Sequence, residues 1–311
     1  MAMSVAIIGL GEIAQKAYLP VLSAWKEIEL SLSTRNPDTL AAFQAQYRIG
    51  RGTTSLEELK DWHPQVAFVL TPSTTHREII EGLLMAGVDV FAEKPLTLTL
   101  EETRYLAELA DRLGRILMVG FNRRFAPLHR LARELWGNRP LQMAVFQKNR
   151  SNAYHPNLYQ NYIDDTIHMI DLLRFFCGDG TATYTSSQVK NGKLIGAAST
   201  VVFDHGGYGL VLTSLQAGRW YEHYALHGGS TSLYVDAFNR LTLVTEKEQK
   251  VWEEAYASAW MTTLEARGFV DEIAHFFDCV QSRSQPQTSA WEAYKTQLLL
   301  EEMVKAAREP K

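Results

Sequence analysis

Only two cysteines occur in 311 residues. Cys177 and Cys279 are too few for a disulfide framework, and neither sits in metal-ligand spacing, so no metal site is expected. Cys177 lies in the apolar stretch LLRFFCG and reads as a buried free thiol. No apolar run approaches the roughly 20 residues that span a bilayer, so no membrane segment is expected. The start, MAMSVAIIGLGE, lacks the basic region and small-residue cleavage site of a signal peptide, which points to the cytoplasm. An excess of cations is also absent: 31 Lys and Arg stand against 35 Asp and Glu, a net charge of −4. That balance lacks the basic character of most nucleic-acid binders. Repeats and low-complexity linkers are missing too. What is present is an ordinary globular composition, 46% hydrophobic and 21% charged. At roughly 100–200 residues per domain, the chain is long enough for two.

The first part alternates short apolar runs with helix-length segments. SVAIIG precedes a helical stretch from about Ile13 to Trp25. IELSLS, a helix near Asp38 to Gln46 and a short strand at Gly52–Thr53 follow. QVAFVL leads to a helix near Thr75 to Ala86, DVFAE to a helix near Leu100 to Leu113, and then comes ILMVGF. This grammar predicts right-handed crossovers and a parallel sheet. After Phe121 the pattern changes. A helix near Pro127 to Trp136 leads into LQMAVFQKNR. A polar, aromatic loop covers Ser151 to Tyr162, and a helix covers about Asp165 to Phe176. YTSSQV, AASTVVF, YGLVLTSLQ, HYALHG, SLYVD and LTLVT then succeed one another between turn residues, which predicts a mainly antiparallel sheet. Two helical stretches, Leu264–Gln281 and Ser289–Ala307, close the chain. The fold class is therefore α/β: an N-terminal Rossmann domain over 1–121 and a C-terminal α+β domain with a large open sheet over 122–311. The final helices are free to pack back on the first domain. Trp220, Trp252 and Trp260 read as core or interface residues.

Gly9-Leu10-Gly11-Glu12-Ile13-Ala14 follows the first strand and opens the first helix. Gly9 permits a tight turn, Gly11 lets backbone approach a pyrophosphate, and Ala14 allows close helix–strand packing. The helix start supplies N–H donors for phosphate. A dinucleotide site is expected here, with Glu12 and Ile13 in the turn. An NAD-selective site would place a carboxylate at the end of the second strand, to accept from the ribose 2′-OH. The chain instead reads Ser33-Thr34-Arg35-Asn36-Pro37. Hydroxyls and the fork of Arg35 suit a 2′-phosphate, so NADP(H) is favoured and NAD(H) stays open.

Glu93-Lys94-Pro95 closes the strand DVFAE. Thr71-Pro72-Ser73 with His76 follows the fourth strand, and Gly120-Phe121-Asn122-Arg123-Arg124-Phe125 follows the sixth. Asp164, His168 and Asp171 succeed the polar loop. In this order the chain resembles the Gfo/Idh/MocA oxidoreductases over nearly its whole length. GLGEIAQKAYLPVL, VGFNRRFAPL and KNRSN…DDTIHMIDLL are similar to the MviM-type branch. The resemblance implies hydride transfer between a nicotinamide and a carbon bearing a hydroxyl or carbonyl. It implies a cofactor site that includes Thr71, Pro72, His76, Glu93, Lys94 and Asn122, and a cis Lys94–Pro95 bond. It also implies a homodimer or homotetramer formed through the second sheet.

Lys94 sits at the C-terminal edge of a parallel strand, where open α/β sheets place ligands. The resemblance gives it contact with the substrate hydroxyl, in orientation and proton handling. His168 is the preferred proton acceptor, because an imidazole exchanges protons near neutrality. Asp164 lies four residues earlier, on the same face of a regular helix, and Asp171 could orient the ring from the other side. Arg123, Arg150, Tyr154 and Asp165 join Lys94, Asp164 and His168 as candidate substrate contacts, in a cation-rich setting that suits a sugar, a polyol or a sugar-derived acid or phosphate. The glycine-rich approach usual before this helix is absent, for the chain reads Tyr159-Gln160-Asn161-Tyr162-Ile163-Asp164. Two alternatives stay open: an NAD-assisted glycosidase on the same scaffold, and an NADPH-binding sensor without chemistry.

Overall fold

The computed structural model describes residues 2–253 and 260–308. The chain divides into two compact units, Met1–Phe121 with Phe269–Tyr294, and Asn122–Gly268 with Lys295–Lys311. Among the described residues no helix is long and apolar enough to cross a membrane.

The first unit is built on six strands, β1 (Met3–Ile8), β2 (Ile28–Ser33), β3 (Arg51–Thr53), β4 (Val66–Val69), β5 (Asp89–Glu93) and β6 (Leu117–Gly120). Their order is β3-β2-β1-β4-β5-β6, and every pairing is parallel. Helices cover parallel strands on both faces, which is why VAFV in β4 is buried at every position. β2 and β4 flank β1, so the strand order reverses there. That reversal opens a crevice at the carboxyl ends of β1 and β4. The helices start where side chains cap them: Asn36 for Pro37–Tyr47 and Thr99 for Leu100–Leu113. The helix Phe269–Ser282 belongs to this unit. Phe276 lies 5.5 Å from Phe68 and 5.6 Å from Phe91, and Trp25 lies 5.2 Å from Phe277.

Among the described residues the second unit holds nine strands: β7 (Met143–Asn149), β8 (Gly180–Lys190), β9 (Lys193–Phe203), β10 (Tyr208–Ser214), β11 (Tyr221–Gly228), β12 (Thr231–Asp236), β13 (Arg240–Thr245), β14 (Gln249–Glu253) and β15 (Ala307–Arg308). Their order is β14-β13-β12-β11-β7-β10-β9-β8-β15. The sheet is antiparallel except for β7 with β10 and β15 with β8. The β7–β10 exception arises because β7 leaves through a helical crossover rather than a hairpin. Pro127–Trp136 and Ile167–Cys177 pack on this sheet. Alternate residues point to the covered face, so Ala144, Phe146 and Lys148 of β7 are buried beside Glu222, Tyr224 and Leu226 of β11. Met143, Tyr208 and Tyr234, of opposite parity, are exposed.

Helix begins earlier than the Asp165 start read from the sequence. Asn157 caps a turn at Leu158–Asn161, a π-helical turn spans Tyr162–Thr166, and α-helix continues through Ile167–Cys177. Cys177 and Cys279 are buried free thiols. Trp260 is not a core residue, being 91% exposed.

Candidate functional site

In the first unit a cavity of about 670 Å³ opens at the strand reversal. It brings together Gly9, Gly11, Thr34, Arg35, Thr71 and Pro72, with Ser33, Leu56 and Lys60 on the same wall. Gly9 adopts φ +92°, and a Cβ there would lie 2.8 Å from the backbone of Leu70 and Thr71. Only glycine fits that turn. At Gly11 a Cβ would meet nothing within 4 Å, so the bare backbone faces open space that a ligand can approach. These features fit a dinucleotide, with Gly9 and Gly11 placed for the pyrophosphate and Thr34 and Arg35 for the adenosine end. Three carboxylates line the cavity: Glu57, which pairs with Lys60 at 2.7 Å, Glu81, which is held by Arg77 and Tyr105, and Glu78, in the first turn of the helix His76–Met85. None follows β2. Ile13 and Glu12 lie outside the lining; Glu12 is exposed and pairs with Lys16.

Two predicted cofactor residues prove to be internal struts. The buried His76 ring places Nδ1 3.1 Å from the carbonyls of Pro95 and Leu96, and Nε2 2.9 Å from that of Thr71. It ties the turn after β4 to the turn after β5 and does not offer a ring nitrogen to a ligand. Glu93 accepts from the Tyr18 hydroxyl at 2.6 Å and from the Lys94 N–H at 3.0 Å. Desolvation raises the Glu93 carboxyl above its ordinary range, although Lys94 and Tyr18 oppose the shift. The buried Tyr18 was not a sequence candidate. It fixes Glu93, and through it the backbone at Lys94. The Lys94–Pro95 peptide is cis.

In the second unit, His168 is buried on the helix Ile167–Cys177, 8% exposed. Asp164 lies in the π-helical turn, with its side chain 52% exposed. The two side chains differ in exposure: Asp164 reaches solvent where His168 is buried. Asp164 lies 3.1 Å from His155 Nε2 and accepts from the Tyr154 hydroxyl at 3.4 Å.

Several charged candidates are committed elsewhere in this unit. Asp171 does not orient His168; it accepts from Arg124 at 2.7 and 2.8 Å and from Thr296 at 3.2 Å. Arg123 grips Glu222 with two bonds of 2.6 and 2.8 Å, both side chains buried. Asp165 is buried between Lys148, 3.0 Å away, and Arg150. Arg123 and Asp165 are therefore internal ion-pair members rather than groups open to substrate. Arg150 keeps part of its side chain exposed, at 36%. Asn122 falls in the second unit, donating to the Arg267 carbonyl at 2.8 Å and accepting from Arg123 at 3.2 Å.

The charges explain one another. Burial pushes the Glu222 carboxyl up, but Arg123 and Lys148 outweigh it and hold it down at about 2. Burial pulls the Lys148 ammonium down to about 8, although Glu222 and Asp165 oppose the shift. Glu222 was missed from sequence, yet it carried a signal: an acid at the inward parity of YEHYALHG, two residues before Tyr224, needs a buried cation.

Residues 3–121 match the family described as an oxidoreductase family with an NAD-binding Rossmann fold. The chain is 31% identical to YceM of Salmonella typhimurium, over 96% of this chain and 95% of that protein. It is 25% identical to a myo-inositol 2-dehydrogenase of Thermotoga maritima, over 99% and 97%. Among solved structures, the MviM dehydrogenase of Clostridium difficile superposes with a TM-score of 0.90 at 27% identity, covering 98% of this chain and all of that one.

Proposed function

Because this chain belongs to the Gfo/Idh/MocA oxidoreductases, nicotinamide-dependent dehydrogenases and reductases of CH–OH groups, we propose that it moves hydride between NADP(H) and a sugar, polyol or sugar-derived substrate. The cavity at the strand reversal carries the cofactor half of this reading. Its glycine turn is obligatory at Gly9, and its second strand ends at Ser33 and is followed by Thr34 and Arg35, with no carboxylate there to meet a ribose 2′-OH. The substrate half is supported by the named activity of the inositol dehydrogenase relative.

Gly9, Gly11, Thr34 and Arg35 would hold the dinucleotide, whose nicotinamide gives or takes the hydride when bound. Lys94 orients the reacting hydroxyl through its ammonium. His168 takes the hydroxyl proton during oxidation and returns it during reduction, a task suited to an imidazole near neutral pH. Asp164, partnered by Tyr154 and His155, meets the substrate's hydroxyls. Family membership and the placement of each residue on its own element support these roles.

Calorimetry with NADPH and NADH tests the cofactor assignment. NADPH should bind at least about tenfold tighter, and Arg35→Glu should erase the difference, as loss of a charge-assisted bond implies. Equal affinities in the parent would overturn it. A hydride-transfer screen of sugars and polyols tests the rest. Lys94→Ala and His168→Ala should each cut turnover by about 100-fold or more, with NADPH affinity nearly intact.

A further inference from the structure

Four cations and two carboxylates share one neighbourhood of the second unit. Arg123 is matched by Glu222, while Lys148 lies 3.3 Å from Glu222 and 3.0 Å from Asp165. Arg150 closes on Asp165 from the other side. The fourth cation is Arg267, which feels Arg123, Arg150 and Glu222 through space. The group thus carries a formal surplus of two positive charges.

Arg267 is the cation this network does not neutralise. Its guanidinium stands 5.3 Å from the ring centre of Trp220 and 5.3 Å from that of Phe238, a ring that Arg123 meets at 5.8 Å. Among the described residues it hydrogen-bonds no carboxylate and no carbonyl oxygen. Yet its backbone is tightly held. A capping box between Thr262 and Glu265 starts the turn. The Arg267 N–H donates to Thr263 at 3.1 Å, and the Arg267 carbonyl accepts from Asn122 at 2.8 Å. Gly268 follows at φ +83°, where a Cβ would fall 2.3 Å from the Asn122 carbonyl oxygen and 2.4 Å from the Ala126 nitrogen.

A half-buried guanidinium among like charges is costly unless an anion meets it. Flat aromatic faces favour its charge while leaving the hydrogen-bonding edge available. The turn therefore roots the guanidinium beside two aromatic rings on a firmly held backbone. Arg150 links this place to the proposed proton acceptor, because it pairs with Asp165, the neighbour of Asp164 in the segment that carries His168.

We propose that Arg267, stacked on Trp220 and Phe238 and assisted by Arg150, forms a subsite for an oxyanion, a carboxylate or a phosphate, borne by the substrate. The assignment rests on the hydride-transfer reading and narrows its substrate class from neutral polyols to acidic sugar derivatives.

The test is calorimetry on the NADPH-loaded protein, which keeps the cofactor's own phosphate positions filled. The probes are gluconate, sorbitol 6-phosphate, inorganic phosphate and neutral sorbitol. At least one anionic probe should bind more tightly than sorbitol, and gluconate against sorbitol 6-phosphate decides between carboxylate and phosphate. Arg267→Gln should weaken that anion by about 10–100-fold while NADPH affinity holds. Arg267→Lys, which keeps charge but loses the fork, should fall between, and it serves if the glutamine variant fails to fold. The proposal is overturned if Arg267→Gln or Arg267→Lys binds the anions as the parent does. It is also overturned if no anion binds better than sorbitol to protein that holds NADPH. Failure to bind NADPH, or to exchange hydride with any sugar, would instead sink the hydride-transfer reading; Arg267-dependent phosphate binding would survive that result.

Discussion

Replacing Glu222 by Gln should expose the energetics beneath the candidate site. The carboxylate lies within hydrogen-bond reach of Arg123 at 2.6 Å and 3.3 Å from Lys148, with all three side chains buried. Its folded-state pKa of about 2 lies well below the ordinary 4.5, held down by Arg123 and Lys148. At 1.36 kcal/mol per unit, that is about 3 kcal/mol of stability at neutral pH. The mutational range for breaking one side of a buried pair, about 3–5 kcal/mol, agrees. Between pH 4.5 and 2 the unfolded chain binds more protons than the folded one, so this contribution is complete above pH 4.5 and disappears as pH falls through the window. Lys148 acts oppositely. Its folded pKa of about 8 lies below 10.5, so the cost of a buried ammonium is fully present below pH 8 and lifts as pH rises toward 10.5. Scanning calorimetry at a series of pH values resolves both. In Glu222→Gln the transition of the second unit should drop by about 6–12 °C at pH 7, on a scale of about 2–4 °C per kcal/mol. The variant should also lose Glu222's share of the parent's acid sensitivity between pH 4.5 and 2, while Asp165 and Asp179, also held low by their cations, keep theirs. A variant as stable as the parent at pH 7 would refute the reasoning, and so would a parent whose melting is flat across the acid window.

Gly9→Ala should cost about 1–3 kcal/mol in backbone strain, with the steric overlap at Thr71 in addition. NADPH affinity measured by calorimetry should fall at least about tenfold. Tyr18→Phe removes the hydroxyl that donates to Glu93; a loss of about 1–2 kcal/mol in the first unit's thermal unfolding is expected, and unchanged melting would show the bond to be idle. Asp171→Asn strips a buried partner from Arg124, so stability should fall by about 3–5 kcal/mol, while the pH profile of turnover keeps its midpoints. A shifted midpoint would return Asp171 to the orienting role that the structure takes from it.

The legible parts were those set by neighbours in sequence. Gly9 and Gly11 stand within three residues of one another and of the strand they end, so local backbone demands reveal the turn. Lys94 and Pro95 were readable because strand ends are marked by a change of pattern. The π-helical turn at Tyr162–Thr166 was not readable, because hydrophobic spacing over five residues scarcely separates it from an α-helix.

The chain by itself determined the order of elements, the dinucleotide turn and the inventory of charges on offer. Which charge meets which was decided by tertiary structure. Arg124 finds Asp171 across 47 positions, and Arg123 finds Glu222 across 99. Desolvation makes a buried ion seek a counterion wherever the fold brings one, and no local pattern encodes that distance. So Arg123, Asp165 and Asp171, which all read as candidates for the site, are held in internal ion pairs, while Arg267, which read as nothing, stands against two aromatic rings.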